Sequence, residues 1–248
     1  MAPNIEALLA RAMAAWTAGE HGVALDLWAP LAHQGVARAE SNMGAAFLQG
    51  VGVARDPDKA VAWLRRAAEQ GDAGGQRNLA LCHYEGWGVP QDHAEAARWY
   101  EKAAVQGDAE AQDMLSWMKL VGGGVEIDYA AARLWAEKAA AQGKEAAMAR
   151  LGDLHHNALG VERDPAKAAR WWAQAARLGH PEAQAMLGAA YLAGMGVARD
   201  PVEALHWLLR ADAGGAGELA AGFLREARAH TKASQRLEAE RRAAVPLS

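Results

Sequence analysis

Cysteine is nearly absent from this sequence, since Cys82 is the only one among 248 residues. A single thiol cannot form an internal disulfide, which fits a reducing compartment, so we expect a cytoplasmic protein. No segment approaches the roughly 20 consecutive apolar residues of a membrane span, so we expect no membrane partner. The first residues, which include Glu6 and Arg11, have the pattern of an amphipathic helix rather than of a signal peptide.

An excess of basic residues is also lacking. The formal net charge is −4, with 26 Lys and Arg residues against 30 Asp and Glu residues. A protein that binds phosphate groups needs a net basic face, so we expect no nucleic-acid partner. The hydrophobic share is 52%, and much of it is alanine, which suits closely packed helices rather than strands.

One pattern of 20 residues recurs five times, and each copy starts 36 residues after the one before it. A fixed period of this kind predicts a repeat architecture, in which each unit packs mainly on its neighbours. The copies are GVARDPDKAVAWLRRAAEQG at 52–71, GVPQDHAEAARWYEKAAVQG at 88–107, GVEIDYAAARLWAEKAAAQG at 124–143, GVERDPAKAARWWAQAARLG at 160–179 and GVARDPVEALHWLLRADAGG at 196–215.

Each copy predicts one helix, here named helix B, with defined ends. An invariant aspartate can accept hydrogen bonds from the unpaired amides of the first turn, and proline follows it in three copies. An invariant glycine closes each copy, because glycine easily adopts the left-handed conformation that ends a helix. The aspartates are Asp56, Asp92, Asp128, Asp164 and Asp200, and the glycines are Gly71, Gly107, Gly143, Gly179 and Gly215.

One tryptophan in each copy lies three and four residues from two invariant alanines. This spacing places all three side chains on one face of helix B. Because the alanines mark a buried face, we interpret the tryptophans as core residues rather than as a ladder that binds a ligand. They are Trp63, Trp99, Trp135, Trp171 and Trp207.

The residues between one copy and the next have room for a second helix of about 12–14 residues, here named helix A. In it a large apolar residue precedes a small one, and an aromatic residue usually follows four places on, as in LGAAYLAG at 187–194. Small residues let two helices approach closely. Each repeat is therefore predicted to be a helix–turn–helix hairpin that stacks on its neighbours.

The recurring pattern L-G-x-x-Y-x-x-G-x-G-V-x-x-D-x-x-x-A-x-x-W-x-x-K-A-A-x-x-G resembles the Sel1-like repeat, a relative of the tetratricopeptide repeat, over residues 38–216. The resemblance implies an all-α fold, a right-handed α-solenoid of stacked helix–turn–helix repeats. We expect residues 1–248 to form a single solenoid domain. Residues 1–37 would be a truncated repeat or N-terminal cap, 38–216 the five repeats, and 217–248 a helical C-terminal cap.

The same resemblance implies a non-catalytic scaffold or regulatory adaptor that binds a protein or peptide in a concave groove lined by helix A. We expect no cofactor, no metal and a monomer. An immunity-like or antitoxin-like binder of a cognate effector is the alternative among binding proteins. The groove positions carried over from the family include Arg77, Leu81, Tyr84, Glu85, Asp113, Trp117, Leu120, Asp153, His156 and Asn157.

Trp117 stands out among these positions, because a tryptophan at an exposed groove position attracts a partner. The opposite interpretation is structural. The third repeat has Ser116 and Lys119 where the family prefers Gly and Tyr, and Trp117 would fill the resulting gap. The sequence leaves both interpretations open.

Two motifs suggest chemistry, and both are incomplete. Ser116 and Lys119 form an S-x-x-K pattern, which in penicillin-binding enzymes and serine β-lactamases places a lysine one helical turn from the nucleophile. The companion S-D-N and K-T-G elements are missing. Asp153, His155 and His156 could suggest a metal, but His155 occupies the column of Phe47 and Tyr191, which we expect to face the core. The two remaining ligands do not close a site. We predict that the chain is not an enzyme and keep a β-lactam-binding serine hydrolase as the minor alternative.

Overall fold

The computed structural model of the chain describes residues 4–247, which contain helices and no strand. This confirms the predicted all-α class of stacked helical hairpins, the α-solenoid. The helices are α1 Ile5–Thr17, α2 His21–His33, α3 Ala37–Gln49, α4 Pro57–Glu69, α5 Ala73–Glu85, α6 His93–Val105, α7 Ala109–Val121, α8 Tyr129–Ala141, α9 Glu145–His156, α10 Pro165–Arg177, α11 Pro181–Ala193, α12 Pro201–Ala211, α13 Gly217–Ala229 and α14 Ala233–Ala244. A short π-helical turn, Asp212–Ala216, joins α12 to α13.

Helix B begins as predicted in all five repeats and ends as predicted in the first four, whereas in the fifth it ends at Ala211 and continues into the π-helical turn that contains Gly215. The five aspartates are the N-caps of α4, α6, α8, α10 and α12, and each accepts a hydrogen bond from the backbone amide three residues on. After α4, Gly71 has a φ of 92°. The amides of Gly71 and Asp72 donate to the carbonyls of Ala68 and Ala67, each at 3.0 Å. These bonds satisfy the last carbonyls of the helix and redirect the chain.

The helices divide into two compact units, one ending at Ile127 and one beginning at Asp128. In the first unit, α1 to α7 pack in chain order, each mainly on the helix before it and the helix after it. In the second unit, α8 to α12 follow the same order, and α13 and α14 both pack on α12. Since the contacts join near neighbours in the sequence, each unit is a stack of hairpins.

The loop from helix A to helix B rests on the preceding hairpin. Four residues before the capping aspartate, it has a glycine at positive φ in all five repeats, for example Gly88 at 68° and Gly196 at 72°. A Cβ on Gly88 would overlap the carbonyl group of Pro57, and one on Gly196 would overlap that of Pro165. This column is therefore glycine both for its backbone conformation and for the close approach to the preceding repeat.

The tryptophan column is less deeply buried than the sequence predicts. Trp99, Trp135 and Trp207 are buried, whereas Trp63 and Trp171 are only half-buried. In α6 and α8 a lysine one turn later covers the ring, 3.6 and 4.1 Å from its centre, in a cation–π arrangement. The prediction that all five are core residues is thus wrong for two of them, and the column lies at the rim of the core.

The most deeply buried column of large side chains on helix B lies one residue later and includes Trp172 and Leu208. Glycines on helix A explain this shift. A Cβ on Gly152 would overlap the indole ring of Trp172, and one on Gly188 would lie 2.6 Å from Cγ of Leu208. The missing side chain on helix A leaves space that the later residue fills.

Residues 4–247 begin and end with a hairpin that has a short connection. Residues 18–20 join α1 to α2, and residues 230–232 join α13 to α14, where the repeats have the longer glycine-containing loop. The segment predicted as a C-terminal cap therefore contains two helices. Arg210 on α12 donates a hydrogen bond at 3.0 Å to the carbonyl of Arg242, which holds the end of α14. Each helix within residues 4–247 falls short of the length and apolar character needed to cross a membrane.

Candidate functional site

The ten groove residues predicted from the sequence lie on or beside helix A of three repeats. In the first unit, four are on α5 and three are on α7. In the second unit, Asp153 and His156 are on α9, and Asn157 follows it. Glu85 and Asn157 are exposed and the other eight are half-buried. Within each unit some of these residues come into contact.

Arg77 is held by an aspartate that also caps a helix. Its Nη1 lies 2.9 Å from Oδ2 of Asp108. The other carboxylate oxygen, Oδ1 of Asp108, accepts a hydrogen bond from the backbone amide of Ala111 at the start of α7. Arg38 on α3 has a similar partner, since its Nε lies 2.8 Å from Oδ2 of Asp72, the N-cap of α5. Both arginines are therefore neutralised by the acids that start the next helix A.

Aromatic side chains meet near the end of α5. Tyr84 packs edge-on against Trp117 with ring centres 6.0 Å apart, and it stacks on His93 at 4.7 Å. A Cβ on Gly123 would lie 3.4 Å from Cζ3 of Trp117. The other four repeats carry a larger apolar residue at the position of Gly123. The ring of Trp117 therefore lies against a loop position where the other repeats have a side chain, and it keeps part of its surface exposed.

In the second unit the predicted residues gather around Trp172 of α10. Its indole nitrogen donates to Oδ1 of Asp153 at 3.0 Å, and the ring of His156 lies 5.3 Å from that of Trp172. The side-chain amide of Asn157 donates to the backbone carbonyl of Asp153 at 3.0 Å. Burial raises the pKa of the Asp153 carboxyl, and the bond from Trp172 acts in the opposite direction. Asp153 is thus a carboxyl group in an environment that disfavours its charge.

A pocket of 270 Å³ lies between α3 and α5 and is lined by Arg38 and Arg77. Asn42 and Asn78 also line it, and they occupy the same column of the repeat, 36 residues apart. The predicted groove positions included Arg77, which adjoins this column, but neither asparagine. The recurrence of asparagine at one full period is the signal that identifies the pair.

A larger cleft of 910 Å³ adjoins this pocket and shares Arg38, Asn42 and Asp72 with it. Leu9 and Met13 of α1 form its apolar wall. Leu9 is half-buried, and Met13 is 43% exposed. The first unit therefore has one continuous recess, which is polar between α3 and α5 and apolar against α1.

The S-x-x-K pattern does not provide an accessible nucleophile. Ser116 is fully buried, so a substrate cannot reach its hydroxyl group, and Lys119 is half-buried. The β-lactam-binding alternative therefore loses the observation on which it rested. In the described part of the chain, no three His, Cys, Asp or Glu side chains are grouped as metal ligands.

Comparison with protein families identifies the repeat. The profile of the Sel1 repeat matches residues 37–72, 73–108, 109–144, 145–180 and 181–211. The chain belongs to the Sel1 repeat family. Each matched segment starts at the first residue of a helix A, namely α3, α5, α7, α9 or α11. A comparison with curated proteins gave no match.

Solved structures similar to this Sel1 repeat chain support the fold. A Sel1 repeat protein from Oxalobacter formigenes is 27% identical with a TM-score of 0.79, over 89% of this chain and 96% of that one. A Sel1 repeat protein from Klebsiella pneumoniae is 22% identical with a TM-score of 0.50, over 80% and 97%. An immunity protein from Pseudomonas aeruginosa is 19% identical with a TM-score of 0.46, over 85% and 84%. The last likeness is too distant to favour the immunity alternative.

Proposed function

We propose that this Sel1 repeat protein is a non-catalytic scaffold or regulatory adaptor that binds a protein or peptide through the helix A face. Sel1 repeat proteins are generally non-catalytic scaffolds. The observation that carries the proposal is the recess in the first unit, where α1, α3 and α5 enclose a cleft of 910 Å³ and a pocket of 270 Å³. A recess of this size can accept a segment of a partner protein.

Side chains on α5 and α7 suit a protein partner. Arg77 lines the smaller pocket, and the partly exposed rings of Tyr84 and Trp117 meet near the end of the same helix. Arginine, tyrosine and tryptophan are enriched at protein interfaces and among the residues that dominate binding energy. We propose a binding face in each unit: seven of the ten predicted positions belong to the face of the first unit, and three belong to the face of the second.

Asp153 supports a binding role for the second unit by a different argument. Its carboxyl group is kept where burial raises its pKa, and such a group lowers stability at neutral pH. Groups that cost stability are characteristic of functional sites. A cationic or hydrogen-bond-donating group of a partner beside Asp153 and His156 would remove that cost.

Photo-crosslinking in cells that naturally make the protein tests this function. A photoreactive phenylalanine derivative replaces Leu81, which is half-buried on α5, and a matched variant carries it in place of Arg98, which is exposed on α6. We expect the Leu81 variant to give a discrete adduct with a second protein and the Arg98 variant to give none. Equal adducts from both positions, or no adduct from position 81, would contradict the proposal.

The proposal keeps the cytoplasmic location and the monomeric state that were predicted from the sequence, without nucleic acid or membrane as a partner. Light scattering after size-exclusion chromatography checks the oligomeric state. We expect the mass of one chain, 26.3 kDa. A mass of two chains at micromolar concentration would replace the monomer with a dimer while leaving the binding face to be tested as above.

A further inference from the structure

We infer that Asn42 and Asn78, here named the amide pair, bind the backbone of an extended peptide segment in the first unit. An apolar side chain of the same segment would occupy the cleft against α1. This inference rests on the proposed function and specifies the partner: an extended segment that is recognised through uncharged peptide groups and one apolar anchor.

The amide pair has hydrogen-bonding capacity that the fold does not use. Both asparagines are half-buried and line one pocket. The only hydrogen bond that the structure describes for either side chain is a long one, 3.4 Å from Nε of Arg77 to Oδ1 of Asn78. A carboxamide has two N–H donors and one carbonyl acceptor. It can therefore bond both the carbonyl and the amide of a peptide backbone.

The spacing of the amide pair suits an extended chain. Asn42 is on α3 and Asn78 is on α5, and these two helices pack on each other. Packed helices have axes about 8–10 Å apart. An extended chain advances about 3.3 Å per residue, so three residues cover about the same distance. We therefore expect the amide pair to bind two peptide groups that are three residues apart.

The charges around the pocket favour a neutral backbone over a charged group. Arg38 is paired with Asp72 at 2.8 Å, and Arg77 is paired with Asp108 at 2.9 Å. A carboxylate or phosphate of a ligand would compete with these two aspartates for the arginines. It would also approach acids that already cap helices. An uncharged peptide group avoids this competition, because the asparagines remain available.

The apolar anchor follows from the neighbouring cleft. Asn42 lines both the pocket and the cleft, so a segment bound at the amide pair continues directly into the cleft. There it meets Leu9 and Met13, and Val36 lies at the edge of α3. Contact with an apolar side chain would cover Met13, which is 43% exposed. We expect a large aliphatic or aromatic residue of the partner at this point.

A random library of linear 12-residue peptides displayed on phage, selected on the full chain, supplies the probe. The dissociation constant of an enriched peptide is then measured by fluorescence anisotropy for the wild type and for the double variant Asn42→Ala/Asn78→Ala. Loss of two or more hydrogen bonds should weaken binding by at least about tenfold. The matched control is Gln174→Ala, which removes an exposed carboxamide from α10, and it should leave the affinity unchanged.

Two further measurements distinguish hydrogen bonds to the peptide backbone from a general effect of the surface. Asn42→Asp/Asn78→Asp keeps the size of both side chains and removes their N–H donors, and it should also weaken binding. Single N-methylation along the peptide should weaken binding most at two peptide bonds three residues apart. Thermal unfolding of each variant shows that the fold is intact, since half-buried polar surface residues contribute little to stability.

Failure of this inference differs from failure of the proposed function. An enriched peptide that keeps its affinity for the double variant overturns the amide pair and leaves the scaffold function in place. Absence of any enriched linear peptide also overturns the inference, and the adduct formed at position 81 then decides the function separately. If the enriched peptides need an acidic side chain for binding and N-methylation has no effect, the proposal that the amide pair binds uncharged peptide groups is overturned.

Discussion

The loop of the third repeat differs in chemistry from the loops of the other four repeats at one equivalent position. In four repeats, the residue before the capping aspartate donates a side-chain hydrogen bond to a carbonyl in the last turn of helix A. These bonds run from Arg55 to Leu48, Gln91 to Tyr84, Arg163 to His156 and Arg199 to Leu192, at 3.0, 2.8, 3.2 and 3.0 Å. The third repeat has Ile127 at this position, and isoleucine has no side-chain donor.

Apolar contacts take the place of this hydrogen bond in the third loop. A Cβ on Gly122 would lie 3.0 Å from Cγ1 of Ile127, and the ring of Trp117 lies beside Gly123. A hydrogen bond fixes a direction, whereas an apolar contact depends mainly on the area that it buries. The loop after helix A can therefore have either a polar bond or an apolar contact at this position.

Both kinds of loop share the stacking glycine, and the largest expected effect comes from filling it. Gly88→Ala forces a left-handed alanine and pushes a methyl group into the carbonyl of Pro57. We expect a loss of about 3 kcal/mol in the free energy of unfolding, since the two effects are each worth about 1–2 kcal/mol. Urea unfolding followed by circular dichroism measures it.

Gly107→Ala is the matched control for this substitution. Gly107 also has a positive φ, 95°, but a Cβ there would have no atom within 4 Å. We expect only the backbone cost of about 1–2 kcal/mol. Equal losses for the two variants would show that the contact between a loop and the preceding repeat adds nothing to stability.

Trp117 is the side chain that sets the third loop apart, and its removal is the next largest effect. Trp117→Ala should lower the free energy of unfolding by about 2 kcal/mol, because the ring is half-buried and a fully buried tryptophan costs about 3–5 kcal/mol. If Trp117 is a binding anchor, the substitution should also weaken the binding of a captured partner by at least about 2 kcal/mol. Destabilisation with an unchanged dissociation constant would leave Trp117 with the packing role alone.

A double-mutant cycle with Gly123→Leu sharpens the packing role. Leucine occupies the equivalent position in the fourth repeat, at Leu159. In the wild type the new side chain should conflict with the ring of Trp117, and in the Trp117→Ala background it should find space. We expect a favourable coupling of about 1 kcal/mol between the two changes. Strict additivity would show that the ring does not occupy the space of a loop side chain.

Low pH should destabilise the second, fourth and fifth repeats more than the third. Burial lowers the pKa values of His83 and His155, which share one column of helix A, and also that of His206. The third repeat has Lys119 in this column. Below the ordinary histidine value of 6.5 the unfolded chain binds protons that the folded chain does not. The free energy of unfolding should therefore have its full value above pH 6.5 and should fall as the pH decreases below it.

Thermal unfolding between pH 7.5 and 5.5 checks this direction. His83→Phe, which places in the second repeat the residue that Phe47 supplies in the first, should reduce the dependence on pH. Lys119→Ala is the control, because it changes the same column of helix A without removing a histidine. A thermal midpoint that is constant over the range would contradict a histidine contribution.

The repeat period, the caps and the hairpins were predictable because each depends on local sequence. An aspartate before helix B and a glycine after it act through backbone amides within the same turn. The position of the core within helix B was not predictable to one residue. That position depends on where helix A has a glycine. Gly152, for example, lies against Trp172 and leaves space for its ring.

The candidate site was predictable in part. The resemblance to the family indicated helix A, and one of the positions carried over from it, Arg77, lines the smaller pocket. The wall formed by α1 was not predictable, because α1 carries none of the invariant columns. Asn42 and Asn78 were missed because their column changes to methionine or arginine in the later repeats, so the pair is a local feature of the first unit.

Ile127→Arg, the smallest expected effect, converts the third loop to the chemistry of the others. The new side chain should donate to the carbonyl of Leu120, the equivalent of the Leu48 carbonyl that accepts from Arg55. We expect a gain of about 0.5–1 kcal/mol in the free energy of unfolding, the net worth of one hydrogen bond. Little packing should be lost, because Ile127 is 50% exposed. Ile127→Met is the control, since methionine is a long side chain without a hydrogen-bond donor. In the first repeat, Arg55→Met should lower the free energy of unfolding by the amount that Ile127→Arg raises it. If methionine at 127 stabilises as much as arginine, the gain comes from apolar contact and the polar bond in the other four loops contributes nothing measurable.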